Sequence, residues 1–220
     1  MKYQAVIFDL DGVITDTAKF HYLGWKKLAD ELGVTFNEEM NEDLKGVSRM
    51  GSLEYLLERG NVDMPEVEKL VVANKKNDFY IQMLEEQMDK SDILDGVVVL
   101  LKELRNSGVK TAIASASKNA TFVLRKLGLL ESFDYIVDAA AVEHPKPHPE
   151  TFLAAAEGIG VLPGKCIAVE DAQVGVQAIK AAGMFAVGVG DTEILKEADL
   201  NISCMAEFQN ILNEMNEVAV

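Results

Sequence analysis

Cysteine is scarce: Cys166 and Cys204 are the only two in 220 residues. That is too few for a disulfide framework or a thiolate metal site. Positive charge is also scarce, with 21 Lys and Arg against 36 Asp and Glu and a formal net charge of −15. Such a balance argues against a nucleic-acid or anionic-membrane surface. No apolar run approaches the ~18 residues needed to span a bilayer. No signal-peptide pattern opens the chain, since Met1-Lys2-Tyr3 runs straight into an apolar stretch, so a cytoplasmic location is expected. There is no internal repeat and no low-complexity segment. Nothing marks an obvious interface, so a monomer is expected.

What remains is ordinary in bulk. A hydrophobic content of 49% and a charged content of 26% fit a globular protein, and the acidic residues are spread along the chain rather than blocked. The length suits one sizeable domain or a medium one with a small partner.

The most informative stretch is Ala5-Val-Ile-Phe-Asp-Leu-Asp-Gly12. An apolar run ends in two carboxylates two residues apart, and strand alternation points Asp9 and Asp11 to the same side. Two close acids repel, so the pair is costly without a cation or a shared proton. The same residues also suit an acidic strand-to-loop turn.

Downstream, Ala18, Tyr22, Trp25, Ala29 and Leu32 recur at steps of four and three, predicting an amphipathic helix stopped by Gly33. Further helices are predicted from Ser52 to Arg59 and from about Pro65 to Met88. No strand signal appears between Asp16 and about Lys90. After Asp95 the pattern alternates. A helix led by Val98, Leu101 and Leu104 closes at Ser107-Gly108, and strands are predicted at Thr111–Ser115, Tyr135–Asp138, Cys166–Glu170 and Phe185–Val189, with helices between. Alternation of this kind means a parallel α/β sheet of Rossmann type covered on both faces, with ligands at the carboxyl ends of its strands. The stretch between Asp11 and Asp95 is far longer than a crossover needs. It reads as an inserted all-helical cap at 16–91, with the catalytic core formed by 1–15 and 92–220. Thr15-Asp16-Thr17 and Lys90-Ser91-Asp92 would be the hinges.

Polar residues converge on the predicted strand ends: Asp9 and Asp11; Ser115, followed by Ala116, Ser117 and Asn119; Glu170-Asp171; and Lys146 in the loop His144-Pro-Lys-Pro-His148. Carboxylates suit a hard cation such as Mg²⁺, and a lysine with a hydroxyl suits a phosphoryl group. Individually, each has a plain reading as a loop charge, strand-end cap or helix cap. His144 and His148 read as exposed loop residues.

DxDG on the first strand, the Ser on the second, the lone Lys and the late acidic pair resemble the four motifs of the haloacid dehalogenase superfamily, in its phosphotransferase branch. The resemblance implies a Rossmann-like core with a helical cap and an aspartyl-phosphate mechanism. In it Asp9 is the nucleophile, Asp11 the general acid and base, and Ser115 and Lys146 stabilise the transition state. Mg²⁺ would be held by Asp9, the backbone carbonyl of Asp11, Glu170 and Asp171.

Water or a sugar hydroxyl could accept the phosphoryl group, and the core motifs do not separate the two. The segments Asp11–Thr17, His21, Trp25, Leu44-Lys-Gly-Val-Ser-Arg49, Ser52, Lys76-Asn77 and Ser115–Asn119 are similar in order and spacing to the β-phosphoglucomutase family. That resemblance implies interconversion of β-D-glucose 1-phosphate and glucose 6-phosphate. β-Glucose 1,6-bisphosphate would be the intermediate and priming species, and lid closure would exclude water. The implied substrate-binding residues are His21, Trp25, Lys45, Gly46, Val47, Ser48, Arg49, Ser52, Lys76, Asn77, Ala116, Ser117 and Asn119, with Thr17 a hinge hydrogen-bonder. From pattern alone, Arg49 is either a fork for a second phosphate or a solvated charge. Trp25 serves the core or stacks on sugar, and His21 reaches Asp11 or faces solvent. Lys76 and Asn77 fall mid-helix, where polar residues usually face water. One departure from the family is Ile93-Leu-Asp-Gly96, where many relatives have proline before the glycine. The alternative reading is a Mg²⁺-dependent phosphatase of small sugar phosphates.

Overall fold

A computed structural model describes residues 3–44, 47–208 and 211. The chain divides into two compact units, one gathering the residues up to Asp16 and from Asp89 onward, the other spanning Thr17–Met88.

In the first unit, strands β1 (Ala5–Phe8), β2 (Lys110–Ile113), β3 (Tyr135–Ile136), β4 (Cys166–Glu170), β5 (Phe185–Val189) and β6 (Leu200–Ile202) form one sheet in the order β3-β2-β1-β4-β5-β6. Each neighbouring pair of these strands is parallel. All four residues of β1 and all five of β4 are buried. Inner strands of a parallel sheet are covered on both faces, which is why they read as unbroken apolar runs. Helices α5 (Val97–Asn106), α6 (Ala120–Leu127), α7 (Glu150–Gly158) and α8 (Gln173–Ala181), numbered in chain order after the helices of the second unit, connect the strands. Phe152, Ala155 and Ala156 of α7 and Val176, Ala178 and Ile179 of α8 pack against Ala5, Ile7, Ala112 and Ala168 of the sheet.

The second unit is helical among its described residues: α1 (Ala18–Leu32), α2 (Glu38–Glu42), α3 (Arg49–Gly60) and α4 (Glu66–Gln87). Its core joins Trp25, Leu28 and Ala29 of α1 to Leu53, Leu56 and Leu57 of α3 and Ala73 of α4. Gly33 sits at the C-cap of α1 in the left-handed region, at φ 71°. None of the described helices is long and apolar enough to cross a membrane.

Several elements differ from expectation. The α3 helix begins at Arg49 rather than Ser52, because the Ser48 side chain accepts a hydrogen bond from Gly51 N at 3.2 Å and caps it. The strands β2 and β3 are shorter than predicted, while α2 and β6 carried no expectation. In α5 the buried residues are Val97, Leu100, Leu101 and Leu104, whereas Val98 is 53% exposed.

The chain leaves and re-enters the sheet unit at one place. Thr15 bridges antiparallel to Ile93, its hydroxyl donates to Asp92 O at 2.6 Å, and Leu94 N donates to Ile14 O at 3.0 Å. A single turn of 3-10 helix, Lys90–Asp92, is held by a capping box between Asp89 and Asp92.

Candidate active site

The sheet register brings the strand ends together. Phe8 pairs with Ile113 on one side and Val169 on the other. The next residues out therefore emerge side by side: Asp9, then Ala114-Ser115, then Glu170-Asp171. Backbone bonds carry the alignment past the strand ends, with Asp9 N donating to Val169 O at 2.9 Å and Ala114 N to Phe8 O at 2.8 Å.

Lys146, from the loop between β3 and α7, reaches into this row. Its ammonium donates to Asp9 Oδ1 at 2.6 Å and Glu170 Oε2 at 2.7 Å, and lies 4.9 Å from the centre of the Phe152 ring. Only 2% of its side chain is exposed. Burial alone would lower its pKa, but the adjacent Asp9 and Glu170 outweigh burial and hold it above the ordinary lysine value. Glu170 is held above the usual carboxylate range, first by burial and then by Asp9, with Lys146 opposing and Asp171 adding to the rise.

Asp9, Glu170 and Asp171 offer carboxylate oxygens that lie within 4.8 Å of one another. Two of these acids are buried and Asp171 is half-buried; carboxylate oxygens gathered this closely suit a divalent cation, and an all-oxygen donor set fits Mg²⁺. Two glycines make the cluster possible. A Cβ on Gly12, whose φ is +75°, would lie 2.1 Å from Asp171 Oδ2. A Cβ on Gly175, in the first turn of α8, would lie 2.0 Å from Glu170 Cδ. Sequence reasoning missed Gly175, since a lone glycine in a helix carries no such message until its neighbour is known.

Asp11 is half-buried, with its backbone bridged to Thr15. Ser115 is 2% exposed and its Oγ accepts from Ser117 N at 3.1 Å. The Ser117 hydroxyl accepts in turn from Asn119 N at 3.3 Å, and Ala116 is half-buried beside them.

The helical unit assembles a second polar cluster. Lys76, on α4, is buried, and its ammonium lies 2.9 Å from His21 Nδ1, 4.7 Å from the Trp25 ring centre and 5.0 Å from that of Tyr80. The polar mid-helix residue therefore does not face water. The His21 ring lies 4.2 Å from the Tyr80 ring. Although part of His21 reaches solvent, burial of its imidazole, then Lys76, then Arg49 press its pKa well below the ordinary 6.5. Neutral, His21 accepts at Nδ1 a hydrogen bond that the Lys76 ammonium donates. Burial there disfavours charge of either sign, but the cationic Lys76 and Arg49, which add to the shift, would attract an anion.

Arg49 is half-buried and donates to Asn77 Oδ1 at 2.8 Å. Ser52 is buried, and Val47 is 42% exposed. Trp25, 2% exposed, belongs to the apolar core. Thr17 is buried at the N-cap of α1, and its carbonyl accepts from Phe20 N and His21 N at 3.0 Å. Lys45 and Gly46 lie outside the described residues.

A profile of the haloacid dehalogenase-like hydrolases matches residues 3–183. The chain is 46% identical over 199 residues to a β-phosphoglucomutase of Bacillus subtilis (strain 168), covering 90% of this chain and 88% of that one. It is 34% identical over 188 residues to a fructose-1-phosphate phosphatase of Escherichia coli (strain K12), covering 86% and 97%. Among solved structures, a β-phosphoglucomutase from Clostridium difficile superposes with a TM-score of 0.93 at 45% identity, over 99% of both chains.

Proposed function

The chain belongs to the haloacid dehalogenase-like hydrolase family, and from that premise we propose that it is a β-phosphoglucomutase, interconverting β-D-glucose 1-phosphate and glucose 6-phosphate. The observation that carries this reading is that the likeness to β-phosphoglucomutases runs through the sheet unit and the helical unit alike.

Asp9 is the proposed nucleophile, attacking phosphorus to give an aspartyl phosphate and expelling the sugar oxygen. Asp11 protonates that oxygen and later takes the proton from the incoming hydroxyl. Lys146 and Ser115 steady the charge on the transferring oxygens. When bound by Asp9, the carbonyl of Asp11, Glu170 and Asp171, Mg²⁺ supplies positive charge that offsets the repulsion between carboxylate and phosphate. A mutase handles a bisphosphate and needs a second anion-binding cluster, a role that suits Arg49, Lys76, Ser48 and Asn77. We assign the remaining substrate contacts to His21, Trp25, Lys45, Gly46, Val47, Ser52, Ala116, Ser117 and Asn119, and a hinge role to Thr17.

The test is a ³¹P NMR time course with β-glucose 1-phosphate, Mg²⁺ and a trace of β-glucose 1,6-bisphosphate. Glucose 6-phosphate is the expected product. Free phosphate as the main product would overturn the reading in favour of a sugar-phosphate phosphatase, the activity named for the Escherichia coli relative.

A further inference from the structure

The loop that delivers Lys146 carries a second set of metal-ligating side chains which the proposed reaction does not use. His144 and His148 stand two residues to either side of Lys146, and Glu150 opens α7. His144 Nδ1 lies 2.7 Å from Glu150 Oε2, and His148 Nδ1 lies 3.7 Å from the same oxygen. The two rings face each other at 4.6 Å with an interplanar angle of 36°. One ligand atom from each of the three residues lies within 4.8 Å of the other two. Glu150 is already fixed in place, since its carboxylate accepts from Glu143 N at 2.7 Å and His144 N at 3.0 Å.

We propose that His144, His148 and Glu150 bind a divalent transition-metal ion of the zinc class, which braces the segment carrying Lys146. The donor set decides the class of ion. Two imidazoles and one carboxylate suit Zn²⁺, Co²⁺ or Ni²⁺, whereas Mg²⁺ prefers the all-oxygen cluster around Asp9. The geometry is close to what binding needs. Donors about 2.1 Å from an ion stand roughly 3.0–3.4 Å apart at ordinary coordination angles, so the observed separations require shifts of only about an ångström. Binding puts the ion in place of the hydrogen bond between His144 Nδ1 and Glu150 Oε2, with the neutral imidazole ligating through Nδ1 and carrying its proton on Nε2. The side chains of His144 and His148 are 60% and 51% exposed, so water completes the coordination. Because the two histidines straddle Lys146, the ion closes a short ring of chain around it and restricts the loop.

The test is a calorimetric titration of the untagged full chain with Zn²⁺ in millimolar Mg²⁺, followed by hydrogen exchange. This chain suits it, since the third histidine of 3, His21, lies in the other unit. The expected result is one Zn²⁺ per chain, weakened about tenfold or more by either His144→Gln or His148→Gln. Asp171→Asn and Cys204→Ser should leave it intact. Zn²⁺ should also slow exchange of the Lys146 and His148 amides. No saturable binding, full affinity in either histidine variant, loss of binding in Asp171→Asn or Cys204→Ser, or unchanged exchange at those amides would each overturn the proposal. None of these readouts depends on the mutase reaction, so the inference stands or falls apart from that reading.

Discussion

At the residue scale, the acidic cluster rests on an atom that is missing. Gly175 touches nothing that reacts, yet Glu170 occupies the space its side chain would fill. Gly175→Ala should displace Glu170 and raise the Mg²⁺ concentration for half-maximal activity by about tenfold or more, the usual cost of disturbing a ligand's support. A Mg²⁺ titration of activity checks this, and an unchanged midpoint would mean that Glu170 does not influence the cation. His21 makes the helical unit sensitive to acid. Its folded pKa is depressed below 6.5 by burial, Lys76 and Arg49, so in mildly acid solution the unfolded chain binds the extra proton. Its contribution to stability is complete above the unfolded value and is lost as pH falls below it. Urea midpoints should therefore drop between about pH 7 and pH 5. His21→Gln, which keeps an acceptor for Lys76 but does not titrate, should flatten that slope.

At the scale of elements, the Ser48 cap has a measurable worth. Ser48→Ala removes the acceptor for Gly51 N and should cost about 1 kcal/mol in urea denaturation, while Ser48→Gly should cost only a few tenths. If Ser48 also meets substrate, Ser48→Gly would raise KM despite its near-native stability. What could be read at this scale followed from periodicity and punctuation. The strand Cys166–Glu170 was legible as an unbroken apolar run ended by an acid, and α1 by its spacing and its terminal glycine. The phase of α5 was not legible, because Val97-Val-Val-Leu-Leu101 offers five apolar residues in a row and no polar face to orient them. The five-residue α2 is too short for any period to emerge, and it rests on the Asn37 side chain accepting from Met40 N. Lys76 was read only through a family resemblance. Nothing in its neighbours along the chain announces that His21, Trp25 and Tyr80 surround its ammonium.

At the scale of the whole molecule, the alternation of strands and helices after Asp95 and its absence before Lys90 made the α/β sheet and the inserted helices legible. The convergence of Asp9, Ser115, Lys146 and Glu170 was legible from the same logic, since strand order puts carboxyl ends in one row. The charges on the residues forecast a cation but not their pairing. That Lys146 joins Asp9 to Glu170 depends on the loop after β3, whose path the sequence does not dictate. Lys146→Met leaves the buried carboxylates of Asp9 and Glu170 without the ammonium that joins them. It should cost about 3–5 kcal/mol without Mg²⁺ and less with saturating Mg²⁺, a difference that thermal unfolding with and without the ion would detect.

The fastening between Thr15 and Asp92 has one more implication. The outgoing and returning stretches of backbone are stitched together within the sheet unit itself, so that fastening does not depend on residues 17–88. A few glycines and serines joining Asp16 to Asp89 should span the gap. The excised protein should remain folded and still gain thermal stability from Mg²⁺, while losing every trace of sugar isomerisation.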